Sequence, residues 1–176
     1  MKETLISSET VYNGEIFDIH KDKIKTVKGN IANRDILVHK GAAAAVPLTD
    51  KNEVILVKQY RHATGNVLLE IPAGGLEPNE DPKDCIIREL QEEIGLKPNI
   101  IEHIYSIFLA PGYSTEYLHI YLAKDLIPSK LQEDQDENLE IVKIKIDKLV
   151  EMILNGEIKD AKTIAAVFSI HTKISK

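Results

Sequence analysis

The segment PKDCIIRELQEEIGL, residues 82–96, constrains this chain more than any other, because it reads as a helix whose two ends are marked by chemistry. Asp81 offers an N-cap oxygen, Pro82 fits the first helical position, and Asp84 complements the positive N-terminal end. Gly95 supplies the left-handed residue that stops the helix, with Leu96 placed for the accompanying apolar contact. The pattern predicts a helix over 82–94. On that helix Ile86, Ile87, Leu90 and Ile94 form one apolar stripe, which must face a core. Glu89, Glu92 and Glu93, spaced i, i+3, i+4, fill the neighbouring sector, so their carboxylates converge. Three like charges so placed destabilise a bare helix, and an acidic face of this kind is commonly only a solvated one.

The residues around it give the acidic face a further reading. Immediately upstream, Ile71-Pro72-Ala73-Gly74-Gly75 reads as a tight loop whose glycines let main-chain atoms approach a ligand or metal. A hard divalent cation takes carboxylate, carbonyl and water oxygens, which loop and helix can supply together. Arg88, with its rigid fork of donors, would hold Glu80 or a metal-ligating carboxylate in one rotamer.

Turn signals divide the rest of the chain into short elements. Residues 11–38 alternate in apolar and polar steps with turns at Gly14 and Gly29-Asn30, which predicts antiparallel strands. Strands are expected at 41–49 and 52–61, joined by Asp50-Lys51-Asn52 as a hairpin turn, and VLLEIP forms another. After the helix come strands near 100–109 and 116–123, an acidic loop at 129–138, the strand LEIVKIKI, and helices near 147–155 and 160–173. Strands, helix, strands and then helices make an α/β mixture of the α+β kind, not a regular βαβ repeat.

Bulk properties narrow the function. With 28 acidic against 22 basic side chains the net charge is -6, and no basic block stands out, so nucleic-acid binding is not expected. An acidic protein acting on an anionic phosphate needs a cation between the two. The one cysteine, Cys85, cannot form an internal disulfide, and the N-terminus lacks a signal-peptide core, so a reducing cytoplasmic setting is expected. No apolar run approaches the roughly 20 residues of a membrane helix, and no membrane association is expected. The histidines show no metal-ligand spacing, and Cys85 is expected to be a small packing residue.

Gly74, then Glu80, then Arg88-Glu89-Leu90, Glu92-Glu93 and Gly95-Leu96, at these intervals, resembles the complete Nudix box. Nine defined positions over 23 residues make the match specific. The resemblance implies a Nudix fold, a mixed β-sheet between helices, with the box as a loop-helix-loop metal site. It implies Mg²⁺, or Mn²⁺ in its place, held by Glu89, Glu93 and the carbonyl of Ala73. Glu92 lies nearby, and Gly74, Glu80 and Arg88 act mainly on the site's architecture.

Outside the box, VKQYR, LEIPAGGLE, KDAKTIAA and the segment 110–116, APGYSTE, are similar to ADP-ribose and nucleoside diphosphate sugar pyrophosphatases. The similarity implies that Arg61 and Glu116 line the diphosphate and ribose region and that Arg34 reaches substrate, although a surface ion pair is an alternative for either arginine. Phe17 matches the position of adenine-stacking residues, where a buried strand Phe is the commoner finding. A glutamate of the acidic loop is implied to position the attacking water, with Glu137 first and Glu133 second. The implied reaction is hydrolysis of ADP-ribose to AMP and ribose 5-phosphate, with GDP-mannose or another nucleoside diphosphate sugar next and dinucleotides third. A Nudix-like module that only binds its ligand is the non-enzymatic alternative. Residues 1–40 are expected to form an N-terminal β extension that mediates a homodimer, and 41–176 the Nudix domain.

Overall fold

A computed structural model describes residues 2–132 and 139–174. Among the described residues ten strands and three helices follow in runs, as the α+β reading expects. They are β1 (Thr4–Asn13), β2 (Phe17–Lys25), β3 (Ile31–His39), β4 (Ala42–Pro47), β5 (Glu53–Arg61), β6 (Asn66–Glu70), β7 (Ala73–Gly75), α1 (Pro82–Glu93), β8 (Leu96–Phe108), β9 (Tyr117–Pro128), β10 (Glu140–Lys145), α2 (Ile146–Leu154) and α3 (Ala161–Ile174). The chain divides into two compact units, one of residues 1–41 and 107–118 and the other of 42–106 and 119–176.

In the first unit β1, β2 and β3 form an antiparallel sheet in that order, with Phe17 opposite His39 and Thr4 opposite Lys25. The segment 110–116 joins this unit because its backbone is stitched to β3. Leu37 N–H donates to the Tyr113 carbonyl at 2.7 Å, Thr115 N–H donates to the Leu37 carbonyl at 2.9 Å, and His39 N–H donates to Thr115 Oγ1 at 2.9 Å.

In the second unit the strands order as β7-β4-β9-β8 in one sheet and β10-β5-β6 in another. The expected hairpin between the fourth and fifth strands is therefore only a turn. Asn52 N–H donates to the Thr49 carbonyl at 2.9 Å and Leu48 bridges Val54, after which the two strands enter different sheets. The burial of β4 explains the departure: all six of its residues are buried, as a strand between two others must be, and β7 and β9 take its two edges. Its alanines also let α1 and α3 pack against it.

The apolar stripe of α1 is seated as its spacing demands. Ile86 and Leu90 are fully buried and Ile94 nearly so, packed on Ala43, Ala45, Ile55, Val57 and Ala123. Burying each of these large aliphatic side chains contributes about 1.5–3 kcal/mol. Ile87 lies at the margin of the stripe and is only half-buried, whereas Cys85, adjacent to Ile86, takes a core position. Asp81 caps the helix, accepting from Lys83 N–H at 2.8 Å, and Gly95 ends it at φ +68°. No helix of the described residues is long and apolar enough to cross a membrane.

Candidate active site

The acidic sector of α1 faces β7, and the contact between them depends on a missing side chain. A Cβ at Gly74 would lie 1.9 Å from Glu89 Oε1 and 2.0 Å from its Cδ, so the Glu89 carboxylate occupies the space that glycine leaves. The region read from sequence as a loop is partly strand. Ala73, Gly74 and Gly75 pair with Ala44, Ala43 and Ala42, which fixes the backbone beside that carboxylate.

Arg88 organises the carboxylates. Its Nε and Nη2 donate to the two oxygens of Glu80 at 3.0 and 3.1 Å, while Nη1 donates to Glu89 at 2.7 Å and to Glu92 at 2.9 Å. Hydrogen bonding from Arg88 holds the Glu80 carboxyl below its usual range, and the same bond raises the already basic guanidinium. One cation thus offsets the repulsion among Glu80, Glu89 and Glu92, the last two brought together by the helix spacing. Glu93, one turn beyond Glu89, is only 5% exposed. Burial, helped by the negative charges of Glu80 and Glu89, pushes the Cys85 thiol up to about 12, so Cys85 is an inert packing group.

Among the described residues, no three His, Cys, Asp or Glu side chains already stand as a closed metal-binding group. The donor set nevertheless fits a hard divalent cation. It offers one carboxylate cradled against the β7 backbone, a second buried a turn away, and a glycine that leaves the backbone approachable.

Beside this helix lies an ion network that the sequence reading did not include. Arg61, at the end of β5, donates from Nε and Nη2 to the two oxygens of Glu70, both at 2.9 Å, and Lys162 of α3 also bonds Glu70. Glu70 is 2% exposed. Burial alone would raise its carboxyl, but the Arg61 hydrogen bonds and the Lys162 charge prevail and hold it at about 2. Lys162 also donates to Asp160 at 3.1 Å. Arg61 keeps 41% of its side chain exposed, so it is anchored by Glu70 and still accessible. The sequence does contain the signal for this network: an acid within the otherwise apolar VLLEIP, and an Asp-x-Lys-Thr opening to a helix.

The remaining candidates belong to the other unit. Arg34, on β3, donates to Glu3 at 2.9 Å and to the Asn33 carbonyl at 3.1 Å, a surface pair of the kind worth at most about 1 kcal/mol. Phe17 is half-buried, its ring 6.2 Å from that of Tyr12, beside a hollow of about 580 Å³ formed by residues 12–17. Glu116 is half-buried, with its amide donating to Ser114 Oγ at 3.1 Å and its carbonyl accepting from Leu109. Glu133 and Glu137 lie outside the described residues.

The sequence model of the NUDIX domain matches residues 38–167, which takes in the whole of this glutamate and arginine arrangement. The chain belongs to the NUDIX family. Among curated relatives of this NUDIX protein, the ADP-ribose pyrophosphatase of Bacillus subtilis (strain 168) is 31% identical over 175 residues, covering 98% of this chain and 95% of that one. A methanol dehydrogenase activator of Bacillus methanolicus is 34% identical over 170 residues, covering 94% and 91%. A crystal structure of an ADP compounds hydrolase superposes with a TM-score of 0.88 at 23% identity, over 99% of this chain and 95% of that one, a likeness of fold. NUDIX chemistry in general uses a divalent metal, and the donor set described above is suited to one.

Proposed function

We propose that this NUDIX protein hydrolyses ADP-ribose at its phosphoanhydride, with Mg²⁺ held by Glu89, Glu93 and the carbonyl of Ala73. The observation that carries the reading is the seating of Glu89 in the space left by Gly74, with Glu93 buried one turn further along the same helix. The full-length similarity to an ADP-ribose pyrophosphatase supports the choice of substrate.

Each residue then has a task that follows from its surroundings. Glu89 and Glu93 present oxygens from one rigid helix face, so little side-chain freedom is lost when an ion is gripped. Arg88 sets the rotamers of Glu89 and Glu92 and is itself fixed by Glu80. Arg61, oriented by Glu70, is available to a phosphate oxygen. A bound divalent cation would neutralise diphosphate charge and lower the pKa of a coordinated water. Glu137, or Glu133 as second choice, is proposed to position the attacking water or take its proton. Water adds to one phosphorus, the bridging oxygen leaves with the other, and the products are AMP and ribose 5-phosphate.

The test is a product analysis of ADP-ribose, GDP-mannose and diadenosine polyphosphates incubated with the purified protein and Mg²⁺ or Mn²⁺. AMP and ribose 5-phosphate as the fastest-formed products are the expected result. Faster cleavage of GDP-mannose would reassign the substrate, and no cleavage of any of them would favour the ligand-binding reading.

Residues 1–40 are further proposed as a dimerisation segment, with Arg34 and Phe17 serving a partner's site. All ten residues of β1 are exposed, including Leu5, Ile6, Val11 and Tyr12, along a sheet edge that is open in the single chain. Light scattering is expected to give twice the chain mass of 19.7 kDa, and a monomeric mass would remove the proposal.

A further inference from the structure

We propose that Thr163, backed by Asp160, is a positioning residue that fixes the backbone entering β7 and so sets the metal-binding carbonyl of Ala73 relative to Glu89; this rests on the metal assignment above. Ile71 follows the end of β6 and is 1% exposed, so its N–H needs a partner inside the protein. That partner is the hydroxyl of Thr163, which is fully buried in the first turn of α3 and accepts from Ile71 N at 2.8 Å. A hydroxyl has a single proton, and Thr163 gives it to Asp160 Oδ2 at 2.5 Å, which turns a lone pair toward Ile71. The next residue, Pro72, has no N–H to contribute, and its carbonyl accepts from Ala45 N at 3.0 Å. Glu70, the residue before Ile71, is tied through Lys162 to Asp160 as well. Residues 70–72 are therefore clamped from α3 and β4, one residue ahead of Ala73.

Helix capping alone does not account for the hydroxyl. The cap is supplied by Asp160 Oδ2, which accepts from Thr163 N–H at 3.0 Å, and that bond uses the Thr163 backbone only. Thr163→Val keeps the cap and the side-chain shape and removes only the hydroxyl that holds Ile71. A capping or packing role leaves catalysis unaffected by this change, whereas a positioning role does not.

The experiment compares full-length wild type, Thr163→Val and Thr163→Ser in three measurements. These are kcat and KM for ADP-ribose with Mg²⁺, Mn²⁺ binding to the substrate-free protein by electron paramagnetic resonance, and hydrogen exchange of the Ile71 amide. Thr163→Val is expected to lose about ten- to a hundred-fold in kcat or in Mn²⁺ affinity, as loss of a ligand's supporting partner does. Its KM should be unchanged, its Ile71 amide should exchange faster, and Thr163→Ser should match wild type in all three measurements. Wild-type kcat and Mn²⁺ affinity in Thr163→Val, or equal impairment in Thr163→Ser, would overturn the proposal. Should Thr163→Val not fold, Asp160→Asn, which keeps a capping oxygen but accepts the Thr163 proton more weakly, carries the same expectation, and wild-type kcat and Mn²⁺ affinity there overturn it. The exchange and Mn²⁺ measurements need no substrate, so a wrong choice of ADP-ribose and a wrong role for Thr163 give different results.

Discussion

Replacing Glu93 with Gln is expected to leave a folded protein whose turnover of ADP-ribose falls about a thousand-fold, the equivalent of roughly 4 kcal/mol in the barrier. The two side chains are the same size, so the buried position beside Leu90 and Ile94 stays filled. What changes is charge. A neutral amide is a poor ligand for a hard cation, and the negative charge that now adds to the field on Arg61 is lost. Circular dichroism should match wild type, and steady-state kinetics should show the loss in kcat at saturating substrate. Near-normal kcat in a folded variant would defeat the role given to Glu93.

Gly74→Ala tests the same site from the other side. The added methyl would stand 1.9 Å from Glu89 Oε1, and the two atoms cannot both remain where they are. The yielding partner is the end of a flexible side chain, while β7 is held to β4, so the carboxylate moves and the fold persists. A displacement of about 1 Å at a reacting centre costs on the order of a hundred-fold in rate. The expected outcome is a variant with a melting temperature close to wild type, about a hundred-fold lower kcat, and a higher Mg²⁺ requirement. Gly75→Ala is the control, since a Cβ there meets nothing within 4 Å. Equal activities for the two alanine variants would show that the Gly74 contact with Glu89 does not matter to the reaction.

The local elements of this protein are legible because local chemistry sets them. Asp81, Pro82 and Gly95 mark the ends of α1 in the sequence, and its stripe and acidic sector follow from the period alone. The β2–β3 pair is equally plain, since Gly29-Asn30 and the alternation around it leave little else, whereas β1 extends back to Thr4, well before the alternation read from residue 11 onward. The partners of β4 and β5 are not readable in this way. A turn at Asp50-Lys51-Asn52 fits a hairpin equally well, and only the burial of β4 on all sides shows that it belongs between β7 and β9. The attachment of residues 110–116 to β3 likewise depends on hydrogen bonds between segments more than 70 residues apart, such as His39 with Thr115.

The site divides along the same line. The Nudix box lies within 23 consecutive residues, so its spacing carries its geometry. Its supports come from distant segments. Glu70 meets Lys162, and Ile71 meets Thr163, each across 92 positions of sequence. Arg61 illustrates the consequence: its residue type suggests a phosphate ligand, and only the fold reveals the buried carboxylate that aims it.

The most direct test of the metal centre is a Mn²⁺ titration of wild type and Glu93→Gln without substrate, followed by electron paramagnetic resonance. Saturable Mn²⁺ binding by wild type that is competed by Mg²⁺ and lost in the variant is the expected result. Identical binding curves for the two proteins, or no saturable binding to wild type, would contradict the claim that this helix face holds the ion.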